Sequence, residues 1–117
     1  MTVNSVPTFT ATIYVGLKER ANGEITPLEI VRAKVQEYVN SVGLCVSLTE
    51  TYFHYTNGGE PGVIIGMINY PRFTTSSEVI RSQAICLGEL LLKTCKQMRG
   101  SVVFPAETCM LSQEGIQ

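Results

Sequence analysis

Residues 44–73, LCVSLTETYFHYTNGGEPGVIIGMINYPRF, constrain the fold more than any other part of this chain of 117 residues. Two strand-like runs flank the sequence Thr56-Asn57-Gly58-Gly59-Glu60-Pro61. Asn-Gly supplies the positive φ that a tight hairpin turn requires, so the stretch reads as a β-hairpin. Leu44, Val46 and Leu48 share one parity, whereas Phe53 and Tyr55 take the other. A switch of this kind predicts a bulge, or a strand that leaves the sheet as a projecting arm. Residues 63–70 are apolar on both parities, as in a central strand, and Pro71 ends the run because proline has no N–H to give to a ladder.

The rest of the chain supplies what such a hairpin packs against. Residues 9–17 alternate strictly, with Phe9, Ala11, Ile13, Val15 and Leu17 on one face and threonines with Tyr14 on the other, which predicts a strand buried on one side. After a polar loop at 18–24 comes Thr26-Pro27-Leu28-Glu29, a capping box. Leu28, Val31, Val35, Tyr38, Val39 and Val42 then recur at helical spacing up to Gly43. A second capping box, Thr75-Ser76-Ser77-Glu78, opens a helix whose stripe is Ile80, Ala84, Leu87, Leu91, Cys95 and Met98, with Gly100 as its stop. The last strand is expected over 102–111, bent at Pro105. Residues 1–7 and 112–117 read as loose ends of one domain spanning 1–117.

The order is therefore β-α-β-β-α-β. It predicts an α+β, ferredoxin-like sandwich: a four-stranded antiparallel sheet in the order 4-1-3-2, two helices on one face, and a hairpin arm between strands 2 and 3. Only 16% of residues are charged, against about a quarter in an average domain. With a sheet face of threonine and tyrosine to cover, the chain is expected to self-associate as a trimer or a dimer. A net charge of −1 excludes a nucleic-acid backbone binder and a polybasic membrane-surface protein. No signal peptide and no bilayer-spanning run are apparent, so the expected location is the cytoplasm. The four cysteines form no C-x-x-C pair, and with one histidine there is no zinc set, so no metal and no cofactor is expected. The thiols are expected to be reduced and mostly buried.

The run Gly100-Ser101-Val102-Val103-Phe104-Pro105-Ala106-Glu107 resembles the end of PII-like chains, ferredoxin-like trimers that carry a long arm between the second and third strands. The resemblance implies a trimer with nucleotide-type ligands between subunits, and leaves Arg72 and Arg99 as the counterparts of its basic contacts. The strands TATIYVGL and INYPRF are also similar to those of small uncharacterised proteins of tailed bacteriophages.

Candidate site residues follow from chemistry. His54 lies between Phe53 and Tyr55 with no nucleophile or orienting acid at catalytic spacing, so it reads as a rim or ligand contact. Asn57, Gly58 and Gly59 either form a tight turn or offer backbone amides to a phosphate. Arg72 precedes a helix start, flanked by Tyr70 and Phe73, which makes an anion site or a stapled helix start. Tyr52, Tyr55, Tyr70 and Phe73 are surfaces on which a base can stack. Together with Arg99 these predict a non-enzymatic binder of an anionic, nucleotide-like signal held between subunits. It would sense or sequester that signal, in the form of a phage sponge. The alternatives are an interaction protein that docks through its arm, and a small hydrolase acting on a nucleotide.

Overall fold

The alternation at residues 9–17 becomes the middle of the sheet. In the computed structural model, which describes residues 1–113, β1 (Thr10–Gly16) buries Ala11, Ile13 and Val15, while Thr12 and Tyr14 lie half-buried on the other face. β1 pairs antiparallel with β3 (Gly58–Ile68) on one side and β4 (Arg99–Val103) on the other. β2 (Ser47–Tyr55) adds outside β3, and β5 (Thr108–Ser112) outside β4, giving the order β2-β3-β1-β4-β5. α1 (Leu28–Val42) and α2 (Ser77–Thr94) cover one face. The core between the layers holds Ile13, Ile65, Leu87, Leu91 and Val102, each fully buried and each contributing about 1.5–3 kcal/mol of transfer free energy. The chain is thus an α+β, ferredoxin-like domain, drawn out along its longest axis to 52 Å.

Five strands stand where four were expected, because the last one folds back on itself. Pro105 gives no ladder hydrogen bond, and the Phe104 N–H donates to the Glu107 carbonyl at 2.8 Å across the turn. Val102 then pairs with Cys109 and Arg99 with Ser112. Ser112 is a strand residue, and the Gln113 N–H donates to the Met98 carbonyl at 2.7 Å. Of the expected loose tail, residues 114–117 lie outside the described residues.

The hairpin carries no bulge. Its register runs unbroken from Ser47↔Gly66 to Tyr55↔Gly58. The large residues change parity because β2 outruns the helical layer: Glu50, Tyr52 and His54 on that side are exposed, and Phe53 and Tyr55 lie on the open face. The turn itself is only Thr56 and Asn57, with Asn57 at φ 59°, and Gly58 through Pro61 belong to β3.

Both helices differ at one end from the sequence reading. Pro27, not Thr26, is the N-cap of α1, and no side chain caps it. The Thr26 N–H is already committed to the Leu17 carbonyl at 2.8 Å. α2 begins as expected, with the Ser76 hydroxyl accepting from the Val79 N–H at 3.2 Å. It ends before Gly100, because Lys96 adopts φ 52° and the Gln97 N–H turns back to the Leu92 carbonyl at 2.9 Å. Met98 therefore leaves the helix, and Arg99 and Gly100 start β4.

One buried polar side chain ties three segments together. Asn69 Nδ2 donates to the Pro7 carbonyl at 2.9 Å, and its Oδ1 accepts the Thr75 N–H at 3.0 Å. Asn69→Ala leaves both partners unmade and is expected to cost about 1–3 kcal/mol. A urea titration should show a lower midpoint at unchanged slope, whereas an unchanged midpoint would mean that these two bonds hold nothing.

Candidate functional site

Four chain segments meet at one end of the open sheet face. Antiparallel pairing brings the end of β1, the start of β3 and the start of β4 to the same end, and the loop after α2 joins them. They enclose a cleft of about 420 Å³ lined by Lys18, Arg20, Tyr55, Glu60, Lys96, Gln97, Met98 and Arg99. Glu60 is held in place. Its carboxylate lies over Gly16, and Oε2 accepts the Lys18 N–H at 3.0 Å. The loops are tied by Gln97 Nε2, which donates to the Lys18 carbonyl at 2.8 Å. Lys96 faces Glu19 at 3.9 Å, and Arg20 reaches the Met98 sulfur at 3.4 Å.

The lining presents one carboxylate and four cationic side chains to a single space. Such a lining can pair with a molecule that itself carries both signs, since each end would find a partner. Tyr55, 53% exposed, adds a flat apolar face at the rim.

The residues singled out in the sequence do not converge in one chain. Tyr55 and Arg99 line this cleft. Tyr52 and His54 lie against each other on the helix-side face of the arm, ring centroids 4.9 Å apart. Asn57 is in the turn. Gly58 and Gly59 are not an open loop: they pair with Tyr55 and His54 in the ladder and lie beneath the Tyr55 and Tyr52 rings. Tyr70 and Phe73 line a second cavity of about 320 Å³ together with Cys45, Thr75, Val79 and Gln83. Arg72 is exposed, its guanidinium carbon 5.5 Å from the Phe73 ring centroid. At about 3.3 Å per strand residue, β3 holds this second group roughly 35 Å from the arm tip. Sequence reasoning missed Lys18, Arg20, Glu60 and Lys96. The available signal was that two charged loops, KER and KQMR, border strands that end on the same side of the sheet.

Among the cysteines, Cys95 is fully buried, whereas Cys45 and Cys86 are exposed and Cys109 is half-buried, so the expectation of mostly buried thiols is corrected. Cys86 lies midway along α2 on its outward side, and Cys45 lies just before β2. Burial pushes the Cys95 thiol up to about 11, with a Thr26 hydrogen bond pulling slightly the other way. Tyr70 is pushed above the ordinary phenol range by a hydrogen bond with Cys45, and partial burial adds to the effect.

The architecture is that of a ferredoxin-like domain with a charged cleft at the base of its hairpin arm. Two solved phage SAM lyase structures share the fold. One, in the apo state, is 21% identical, with TM-score 0.76 over 93% of this chain and 92% of that chain. The other, in complex with S-methyl-5'-thioadenosine, is 18% identical, with TM-score 0.74 over 100% of this chain and 98% of that chain. No protein-family model matches this chain, and no curated protein sequence does. At these identities the likeness is one of fold. It bears out the phage side of the expected resemblance. It overturns the non-enzymatic, sequestering reading, because both neighbours are lyases across more than nine-tenths of the chain. A small nucleoside ligand remains in keeping with the second neighbour. Among the described residues no helix is long and apolar enough to cross a membrane.

The thiols give a direct check. At pH 8 without denaturant, a thiol reagent should label Cys45 and Cys86 rapidly and leave Cys95 untouched until the protein unfolds; early labelling of Cys95 would contradict the packing. The Cys95 pKa is higher folded than unfolded, so its contribution to stability is intact below about 9. It is lost as pH rises towards about 11, and urea midpoints should fall across that window.

Proposed function

We propose that this chain is a SAM-cleaving lyase that releases S-methyl-5'-thioadenosine, working in the cleft beside Glu60. The observation that carries the reading is the two-signed lining of that cleft, on a fold shared with two SAM lyases. SAM carries a sulfonium, an ammonium and a carboxylate, so it matches a space with one acid and several bases. Glu60 meets the cationic end, Arg99 the carboxylate, and Tyr55 stacks on the adenine.

The products fix which bond breaks. Methylthioadenosine keeps the adenosine, the sulfur and the methyl group, so the bond cut joins sulfur to the γ-carbon of the amino-acid arm. Its electron pair goes to sulfur, which becomes neutral. A lyase takes up no water, so the four-carbon fragment completes its own bonding. Either its carboxylate closes onto the γ-carbon as a lactone, or a β-proton leaves to a base and an alkene forms. In ring closure both reacting charges fade in the transition state, so the protein gains most by holding the arm curled and excluding water. In elimination Glu60 is the base within reach.

Self-association belongs to the same reading. Ile68 and Met110 stand 46% and 64% exposed on the open sheet face, beside half-buried threonines, and a trimer covers that face as PII-like domains do. Tyr70, Arg72 and Phe73 join the site only if a second subunit brings them to it. The expected compartment is the cytoplasm of an infected cell. Light scattering should return three subunit masses, and a single mass at micromolar concentration would remove this part.

Purified protein incubated with SAM should release methylthioadenosine, followed by chromatography and mass spectrometry. Arg99→Ala should lower kcat/KM by the equivalent of about 1.5–3 kcal/mol, the worth of a charged hydrogen bond. SAM recovered intact after prolonged incubation would overturn the reading.

A further inference from the structure

Gly16 ends β1 on the open face, paired with Gly62 and beside the start of β4. A β-carbon built there would lie 2.7 Å from Glu60 Oε2, 2.8 Å from the carboxyl carbon and 3.0 Å from Oε1. All three nearest atoms belong to one carboxylate, and backbone is not among them. Gly16 has no positive φ, so its backbone does not call for glycine. What it provides is space for that carboxylate.

We propose that Gly16 is a positioning residue. Its missing side chain lets the Glu60 carboxylate lie down on β1, where the Lys18 N–H fixes it facing the cleft. The proposal rests on the lyase reading for its effect on turnover, though not for its geometry. A methyl group at position 16 forces the end of a flexible side chain away, so the fold survives and the acid is displaced. Displacing a group by about 1 Å near the reacting atoms can cost on the order of a hundredfold. Shortening that side chain by one methylene gives the added methyl its room back, so Glu60→Asp should compensate Gly16→Ala.

The experiment compares Gly16→Ala, Glu60→Asp and their double variant, with Gly66→Ala as the control. Gly66 lies further along the same face of β3, where an added methyl would meet only the Ser47 hydroxyl, 2.7 Å away, far from the cleft. Gly16→Ala should fold and lose at least about tenfold in kcat with a smaller change in KM. The double variant should turn over faster than the product of the single losses allows. Gly66→Ala should keep wild-type kcat. The Lys18 amide proton, followed by NMR, should move in Gly16→Ala in the same direction as in Glu60→Ala, because both remove its acceptor. Multiplicative losses, an unmoved Lys18 amide or an unfolded Gly16→Ala would each overturn the proposal. If the wild-type protein fails to release methylthioadenosine, the lyase reading falls, and the Lys18 amide alone still decides whether Gly16 seats Glu60.

Discussion

The open face of this sheet is shaped by missing side chains. Along β3 the residues facing away from the helices are Gly58, Glu60, Gly62, Ile64, Gly66 and Ile68. The Tyr55 ring lies over Gly58, the Phe53 ring over Gly62 and the Ser47 hydroxyl over Gly66, while the Glu60 carboxylate lies over Gly16 of β1. A β-carbon at any of these positions collides with what covers it. The arm can therefore pack its aromatic rings against its own partner strand, well beyond the reach of the helices. Glycine inside a strand weakens it by roughly 0.5–1 kcal/mol each, so a face with several of them gives up strand stability for the room it leaves.

The element order, both helical faces and the edge position of the hairpin were legible in the sequence, because period-two and period-3.6 patterns follow directly from which face is buried. What the pattern hid is instructive. Gly58 and Gly59 look like loop residues, since glycine in a sequence signals a turn more often than a seat for a ring, and Glu60 was read as part of that turn. Pro105 was read as a bend within one strand, although a strand pairs equally well after folding back on itself. Arg99 was singled out only through the PII-like resemblance, whereas its place is at the start of β4, in the lining of the cleft. Lys18 and Arg20 sit in a loop that reads as solvated, and Lys96, expected within the second helix, lies just past its end. Their convergence with Glu60 is a product of topology, which brings residues nearly eighty positions apart to one end of the sheet.

Charge is sparse in this chain, at 16% of residues, which makes its concentration in one cleft informative. Most surface ion pairs contribute at most about 1 kcal/mol, and the loose Lys96–Glu19 pair, with its lysine exposed and its groups 3.9 Å apart, belongs to that class. Glu60 differs. It is half-buried, it is hydrogen-bonded to backbone, and no partner cation is recorded for it among the described residues. On the proposed reading its charge is left for the substrate to meet, and the cations around it pair with the substrate's own carboxylate.

The most direct test of the central claim is a crystal structure of the protein grown with S-methyl-5'-thioadenosine. The account predicts the nucleoside in the cleft, with its adenine against Tyr55 and its sulfur on the side of Glu60. Nucleoside density in the cavity between Cys45 and Phe73, with the Glu60 cleft left empty, would contradict it.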